Sequence, residues 1–300
     1  MKPLSPRAAL ALFALVIFAW GFNWPVAKLT LQTGITPLWM AAVRSGIAAV
    51  LLLVLLAATR NLIVPRKGDW PIVFGIALLH MVGYAALVAV ALQYVSAGRS
   101  VVLGYTTPLW VVPGALIFLG ERLTPARAAG VAIGMAGIAV LFNPLELDWS
   151  DTNGLIGHAM IMLASVCWAG SILQIRAHKW VSSPMQLVFW EVLIASFLLC
   201  LLALLFEGAP KVPWSPRLAL LFAYGSVFGV VLGYWAMAMV NRSVPAVTTS
   251  LGILATPVVG IVSSMIALGE PFSPSLLVAL VLIIGGIVLG TFTRPAPRRL

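Results

Sequence analysis

Two charges interrupt long apolar runs in this sequence, Arg44 within Ala41-Ala42-Val43-Arg44-Ser45 and Glu191 within Phe189-Trp190-Glu191-Val192. A charge inside such a run needs a partner, a polar cavity or access to a surface. Aligning Pro37 with Pro184 places both seven residues into their runs. Three readings follow: an ion pair, an Arg44 that holds a solute carboxylate, or two side chains that snorkel to opposite surfaces. His80, amid Leu78, Leu79, Met81 and Val82, suits proton transfer or solute binding, or equally a structural bond to a helix backbone. Trp20, Asn23 and Trp24 share one stretch, and Trp168, Ser171 and Gln174 repeat the aromatic-plus-polar pattern at three-residue spacing. Tyr84, Tyr105, Tyr234 and Trp235 complete the aromatic candidates. Such a set binds an amphipathic organic solute, rings supplying area and amides fixing orientation. Trp39, Trp70, Trp149, Trp180 and Trp214 fit the interfacial belt instead.

Other chemistry is excluded by spacing. No nucleophile, acid/base pair or His/Cys/carboxylate cluster has catalytic or ligand spacing, so no enzyme activity, metal or cofactor is expected. No Walker motif marks direct ATP driving. Cys167 and Cys200 lie in apolar runs and read as small buried hydrophobes.

These residues must be carried by membrane helices. The chain is 62 % hydrophobic and 9 % charged, with a mean hydropathy of +1.08, far from a soluble domain. Breaks at Pro, Gly and charge clusters predict ten transmembrane helices. They run at about 8–28, 37–58, 71–94, 100–119, 125–142, 154–176, 184–206, 217–240, 246–268 and 274–293. The formal charge of +10 is scattered between spans, which points to anionic lipid on the cytoplasmic side rather than nucleic acid. With both termini cytoplasmic, 13 Lys and Arg fall inside and 4 outside, Arg44 being the remaining one of 18.

Leu119-Gly120-Glu121 recurs as Leu268-Gly269-Glu270, 149 residues later. The chain is therefore expected to be two repeats, 1–146 and 147–300, each of five helices. Five is odd, so the second repeat is inverted. Glu121 and Glu270 are expected to cap the turn into the helix that follows each. Gly130, Gly134, Gly137, Gly285 and Gly286 offer surfaces for close helix packing. Pro108 and Pro257, with Gly104 and Gly252, are candidate hinges.

The paired Leu-Gly-Glu segments, Trp20-Gly21-Phe22-Asn23, Arg44, and Trp168-Ala169 with Arg176 resemble the drug/metabolite transporter superfamily, specifically its ten-helix EamA-type members. Length and the Trp-rich, His-containing interior are similar to aromatic amino acid exporters of the YddG type. Asn23-Trp24-Pro25 departs from the family's usual small or aliphatic residues. The resemblance implies a basket in which spans 1, 3, 4, 6, 8 and 9 line a central cavity, with spans 5 and 10 against each other or a second copy, as in a homodimer. It also implies residence in the plasma membrane, the inner membrane of a bacterium. The function expected is export of small amphipathic metabolites by alternating access, aromatic or other neutral amino acids first. Export of drugs or quaternary amines is the alternative, and a channel or a membrane-embedded enzyme a remote one.

Overall fold

The computed structural model describes residues 5–120, 124–142, 150–243 and 253–292, and every regular element among them is helical. In chain order these are α1 (Pro6–Leu31), α2 (Pro37–Ala58), α3 (Trp70–Ala91), α4 (Ala97–Leu119), α5 (Pro125–Phe142), α6 (Thr152–Ala177), α7 (Pro184–Phe206), α8 (216–243), α9 (Ala255–Leu268) and α10 (Pro274–Phe292). Prolines open several of them, as at Pro37, Pro184 and Pro216, where the missing N–H has no helical partner to lose. Ser96, Asp151 and Ser215 cap others by accepting from the backbone N–H of Arg99, Gly154 and Leu218. α4 and α9 stop at Gly120 and Gly269, with φ of 62° and 66°, left-handed backbone that favours glycine. The Leu-Gly part of the repeated signature is thus a helix stop.

Seven helices, α1–α4 and α6–α8, contain stretches long and apolar enough to cross a membrane, while α5, α9 and α10 carry shorter apolar stretches. The span expected from residue 246 is described only from residue 253, and α9 begins at Ala255. Glu121 and Gly252, singled out in the sequence, lie outside the described residues. Large apolar side chains such as Phe118, Phe206 and Ile266 are 76 %, 77 % and 81 % exposed, a surface that lipid solvates and water does not.

The buried side chains form two clusters. One joins α2, α3 and α7 through Leu52, Leu56, Ile72, Leu187 and Leu199. The other joins α4, α6, α9 and α10 through Leu103, Ile161, Ile261 and Ile283. Helix partners exchange between the halves: α2 packs on α7, α4 on α9 and α5 on α10, while α1 meets α8 and α9 as α6 meets α3 and α4. At the α5–α10 contact a Cβ on Gly286 would lie 2.4 Å from the Gly130 carbonyl oxygen, so the backbones approach as small residues permit. Gly285, expected on that surface, faces open space instead.

Carboxylates fasten the helix ends. Glu207 accepts from Leu38 N at 2.8 Å and Trp39 N at 3.0 Å, and Glu270 accepts from Ala97 N at 2.6 Å and Gly98 N at 2.8 Å. Glu270 therefore caps the start of α4, not the turn into α10 as its position in the sequence suggested. Charge on an N-terminal turn complements the helix dipole. At the opposite end, Asp69 accepts from Ser182 N and Oγ and from Arg66 N. Burial alone pushes this carboxyl upward, but those hydrogen bonds outweigh it and hold it below its ordinary value.

Candidate functional site

α3 and α8 both widen into π-helix near mid-length, over Ile76–Tyr84 and Val227–Leu232. A π-turn redirects the side chains around it. One ends at Gly83-Tyr84 and the other runs into Gly233-Tyr234, so equivalent tyrosines enter the interior from both halves.

Trp168 on α6 is the hub of the aromatic cluster. Its ring stacks on His80 at 5.2 Å and 5°, and meets Tyr84 at 5.3 Å and Tyr105 at 5.9 Å edge-on. His80 also meets Tyr84 and Tyr234, whose hydroxyl lies 3.3 Å from His80 Nδ1. Each such pair contributes about 0.5–1.5 kcal/mol beyond its buried area.

The facing wall depends on glycines of α8. A Cβ at Gly233 would lie 2.3 Å from Trp20 Nε1, one at Gly229 2.9 Å from Asn23 Oδ1, and one at Gly225 3.1 Å from Arg44 Cδ. Spaced by four, they form one face. Only a helix lacking side chains there leaves room for the indole, the amide and the guanidinium stem. Across the site, a Cβ at Gly104 would lie 2.9 Å from the Trp24 ring.

Together these groups enclose a cavity of about 140 Å³ at the seam of the two core clusters, lined by Trp20, Asn23, Trp24, Arg44, His80, Tyr84, Tyr105, Trp168 and Tyr234, with Met40, Val88 and Leu92 among its apolar closure. It is smaller than the roughly 300 Å³ at which sites for drug-sized ligands begin. A ring-bearing solute needs the walls to part. A larger cavity of about 420 Å³ lies at the end of the bundle, but it contains none of the aromatic cluster. Convergent rings with a cation, rather than volume, single out the central cavity as the candidate site.

Arg44 lines this cavity, and among the described residues its buried Nε has no hydrogen-bond partner, nor has Glu191 Oε1. The two form no ion pair, and Glu191, 4 % exposed, does not line the cavity. Three other candidates are not brought in. Gln174 Nε2 donates to the Pro71 carbonyl at 2.8 Å and so ties α6 to the start of α3. Ser171 is buried without lining the cavity, and Trp235, half-buried, does not line it either.

The hinge expected in α4 is a complete break at Tyr105–Thr106. Leu103 O accepts from Thr106 Oγ1 at 2.6 Å and Ser165 Oγ at 2.8 Å, and Gly104 O accepts from Thr107 Oγ1 at 2.9 Å. Hydroxyls thus satisfy the carbonyls that Pro108 and the break release. Pro257 is the third residue of α9. The π-turns and the glycine face of α8 escaped the sequence reading. Gly225, Gly229 and Gly233, each four apart opposite an aromatic-rich helix, were the available signal.

A family model described as the EamA-like transporter family matches residues 7–143 and again 155–292. The chain is 28 % identical over 290 residues to "Uncharacterized transporter YvbV" of Bacillus subtilis, covering 96 % of this chain and 93 % of the relative. It is 29 % identical to a "Probable amino-acid metabolite efflux pump" of Salmonella typhimurium, covering 93 % of both. It is 27 % identical to "Aromatic amino acid exporter YddG" of Ancylobacter novellus, covering 75 % of this chain and 77 % of that one. A solved crystal structure superposes with a TM-score of 0.63 at 22 % identity, covering 95 % of this chain and 96 % of that one, which establishes the shared fold.

Proposed function

The chain belongs to the EamA-like transporter family, and on that premise we propose that it exports small amphipathic metabolites, aromatic or other neutral amino acids above all, by alternating access. The observation that carries this reading is one cavity holding a ring-stacking surface, His80 on Trp168, together with Arg44, whose buried Nε has no hydrogen-bond partner among the described residues. A solute ring would slot among Trp20, Tyr84, Trp168 and Tyr234. Its carboxylate would meet Arg44, for which a planar fork of donors is matched. Asn23, whose amide makes no hydrogen bond among the described residues, would orient the backbone of the solute. A cation such as a quaternary amine meets repulsion from Arg44 in the same space.

The architecture proposed is ten membrane helices in two inverted repeats, 1–146 and 147–300, with both termini cytoplasmic. The exchange of helix partners between halves, the two family-model matches and the 13-to-4 bias of basic residues support it. Access would alternate as the broken α4 and the glycine face of α8 shift against the aromatic walls. The test is flux of labelled L-tryptophan in proteoliposomes. Saturable flux is expected, reduced at least about tenfold by Trp168→Ala and less by Trp168→Phe. Wild-type flux in Trp168→Ala, with the protein inserted and monodisperse, refutes the assignment of the cavity.

A further inference from the structure

The central cavity leaves unexplained a larger concavity where α4 and α6 begin and α9 ends. Its volume of about 420 Å³ lies within the range of small-molecule sites, and it shares no lining residue with the central cavity. Its charged and titratable lining groups are Tyr94, Arg99, Asp151, His158 and Glu270. The carboxylates already serve helix ends: Asp151 Oδ1 accepts from Gly154 N at 2.9 Å, and both oxygens of Glu270 accept from Ala97 and Gly98 N–H groups. His158 Nδ1 lies 2.7 Å from the Gly154 carbonyl. Arg99 differs. Its backbone N–H donates to Ser96 Oγ at 3.3 Å, but among the described residues its guanidinium makes no hydrogen bond or ion pair.

We propose that this cavity is a second, transient solute site for an apolar or aromatic α-amino acid, in which Arg99 takes the carboxylate. The free oxygen of Asp151, Oδ2, is the acceptor for the ammonium group, and Ile261 and Met265 form the wall for the side chain. The pairing of one unengaged guanidinium with one unengaged carboxylate oxygen selects a zwitterion over a simple anion or cation. The site is placed to serve the central one. Leu92 lines the central cavity and Val95 the outer one, and Lys28 Nζ on α1 donates to both of their carbonyls. A solute leaving the central cavity at this end passes the Lys28 crossbar and meets Arg99 next. In the proposed orientation this end faces the outer side of the membrane, so the site holds the exported solute at its release.

This inference rests on the amino-acid reading of the central cavity, and equilibrium binding separates the two. Labelled L-tryptophan is titrated onto the full-length protein in lipid nanodiscs, as wild type, Arg99→Ala, Arg99→Gln, Arg99→Lys and Trp168→Ala. Two molecules per chain are expected for the wild type. Arg99→Ala and Arg99→Gln should weaken one site at least about tenfold, the loss of a charged hydrogen bond, with Arg99→Lys intermediate. Trp168→Ala should remove the other site. Arg99 variants that keep the number and affinity of wild-type sites overturn the outer site. Loss of all binding in Trp168→Ala alone overturns it too and leaves the central reading standing. Loss of all binding in the Arg99 variants alone supports the outer site and overturns the central one. A wild type that binds no tryptophan overturns both.

Discussion

Replacing each glycine of the α8 face by alanine, with Gly285→Ala as the control, should give a graded series whose order follows from distances. Alanine gains about 0.5–1 kcal/mol over glycine in a helix interior through lower backbone entropy. Gly285 has nothing within 4 Å of an added Cβ, so that gain should appear undiminished. At Gly225 the nearest atom is Arg44 Cδ at 3.1 Å, a flexible stem that shifts by a few tenths of an ångström, and gain and cost nearly cancel. At Gly229 the Asn23 amide oxygen lies at 2.9 Å; turning the amide costs more than alanine gains, leaving a loss of about 1 kcal/mol. At Gly233 the methyl meets the Trp20 indole nitrogen at 2.3 Å and the Phe228 carbonyl oxygen at 3.0 Å. A rigid ring and a backbone must move, a cost of about 2–3 kcal/mol after the propensity gain. Thermal unfolding of detergent-solubilised protein reads the series, and tryptophan flux should fall in the order Gly225, Gly229, Gly233. Four equal shifts, or Gly233→Ala as stable as wild type, refute the close packing of α8 on Trp20 and Asn23.

Other consequences follow from the helix ends and the hinge. Glu207→Ala and Glu270→Ala should each lower stability by about 1–2 kcal/mol, the value of a lost helix cap, with glutamine at either position restoring part of it in the same unfolding assay. Because hydrogen bonds hold the Asp69 carboxyl below its ordinary value of 3.8, its stabilising contribution is fully present above that pH and lost as pH falls through its lower folded value. Asp69→Asn should flatten the acid limb of the stability profile, and an unchanged limb contradicts the assignment. Ser165→Ala removes the 2.8 Å hydrogen bond to Leu103 O at the α4 break. It should raise hydrogen exchange at 103–107, measured by mass spectrometry, without altering exchange in α2.

Much of the fold was legible because a membrane helix announces itself by length and hydropathy. The runs that became α2 and α7 begin at Pro37 and Pro184 as expected, since proline in a first turn has no helical N–H bond to lose. Trp20, His80, Tyr84 and Trp168, singled out because a polar group inside such a run must be accommodated, do line one cavity. Gln174 and Glu270 were misplaced for one reason: each bonds to backbone more than 100 residues away, Pro71 in one case and Ala97 in the other, and local spacing carries no such information. Arg44 and Glu191 matched in register, yet register places residues at equivalent depths on helices without turning them toward each other. The π-turns were invisible because they arise from how α3 and α8 pack, not from a local propensity.

Counterflow of labelled L-tryptophan in proteoliposomes, competed by unlabelled tryptophan or by tryptamine, tests the central cavity most directly. Tryptamine keeps the indole and the amine and lacks only the carboxylate that Arg44 is proposed to hold. The prediction is saturable counterflow that tryptophan blocks and tryptamine does not, with Arg44→Ala cutting flux at least about tenfold. Equal competition by tryptamine, or an Arg44→Ala protein that transports like wild type, contradicts it.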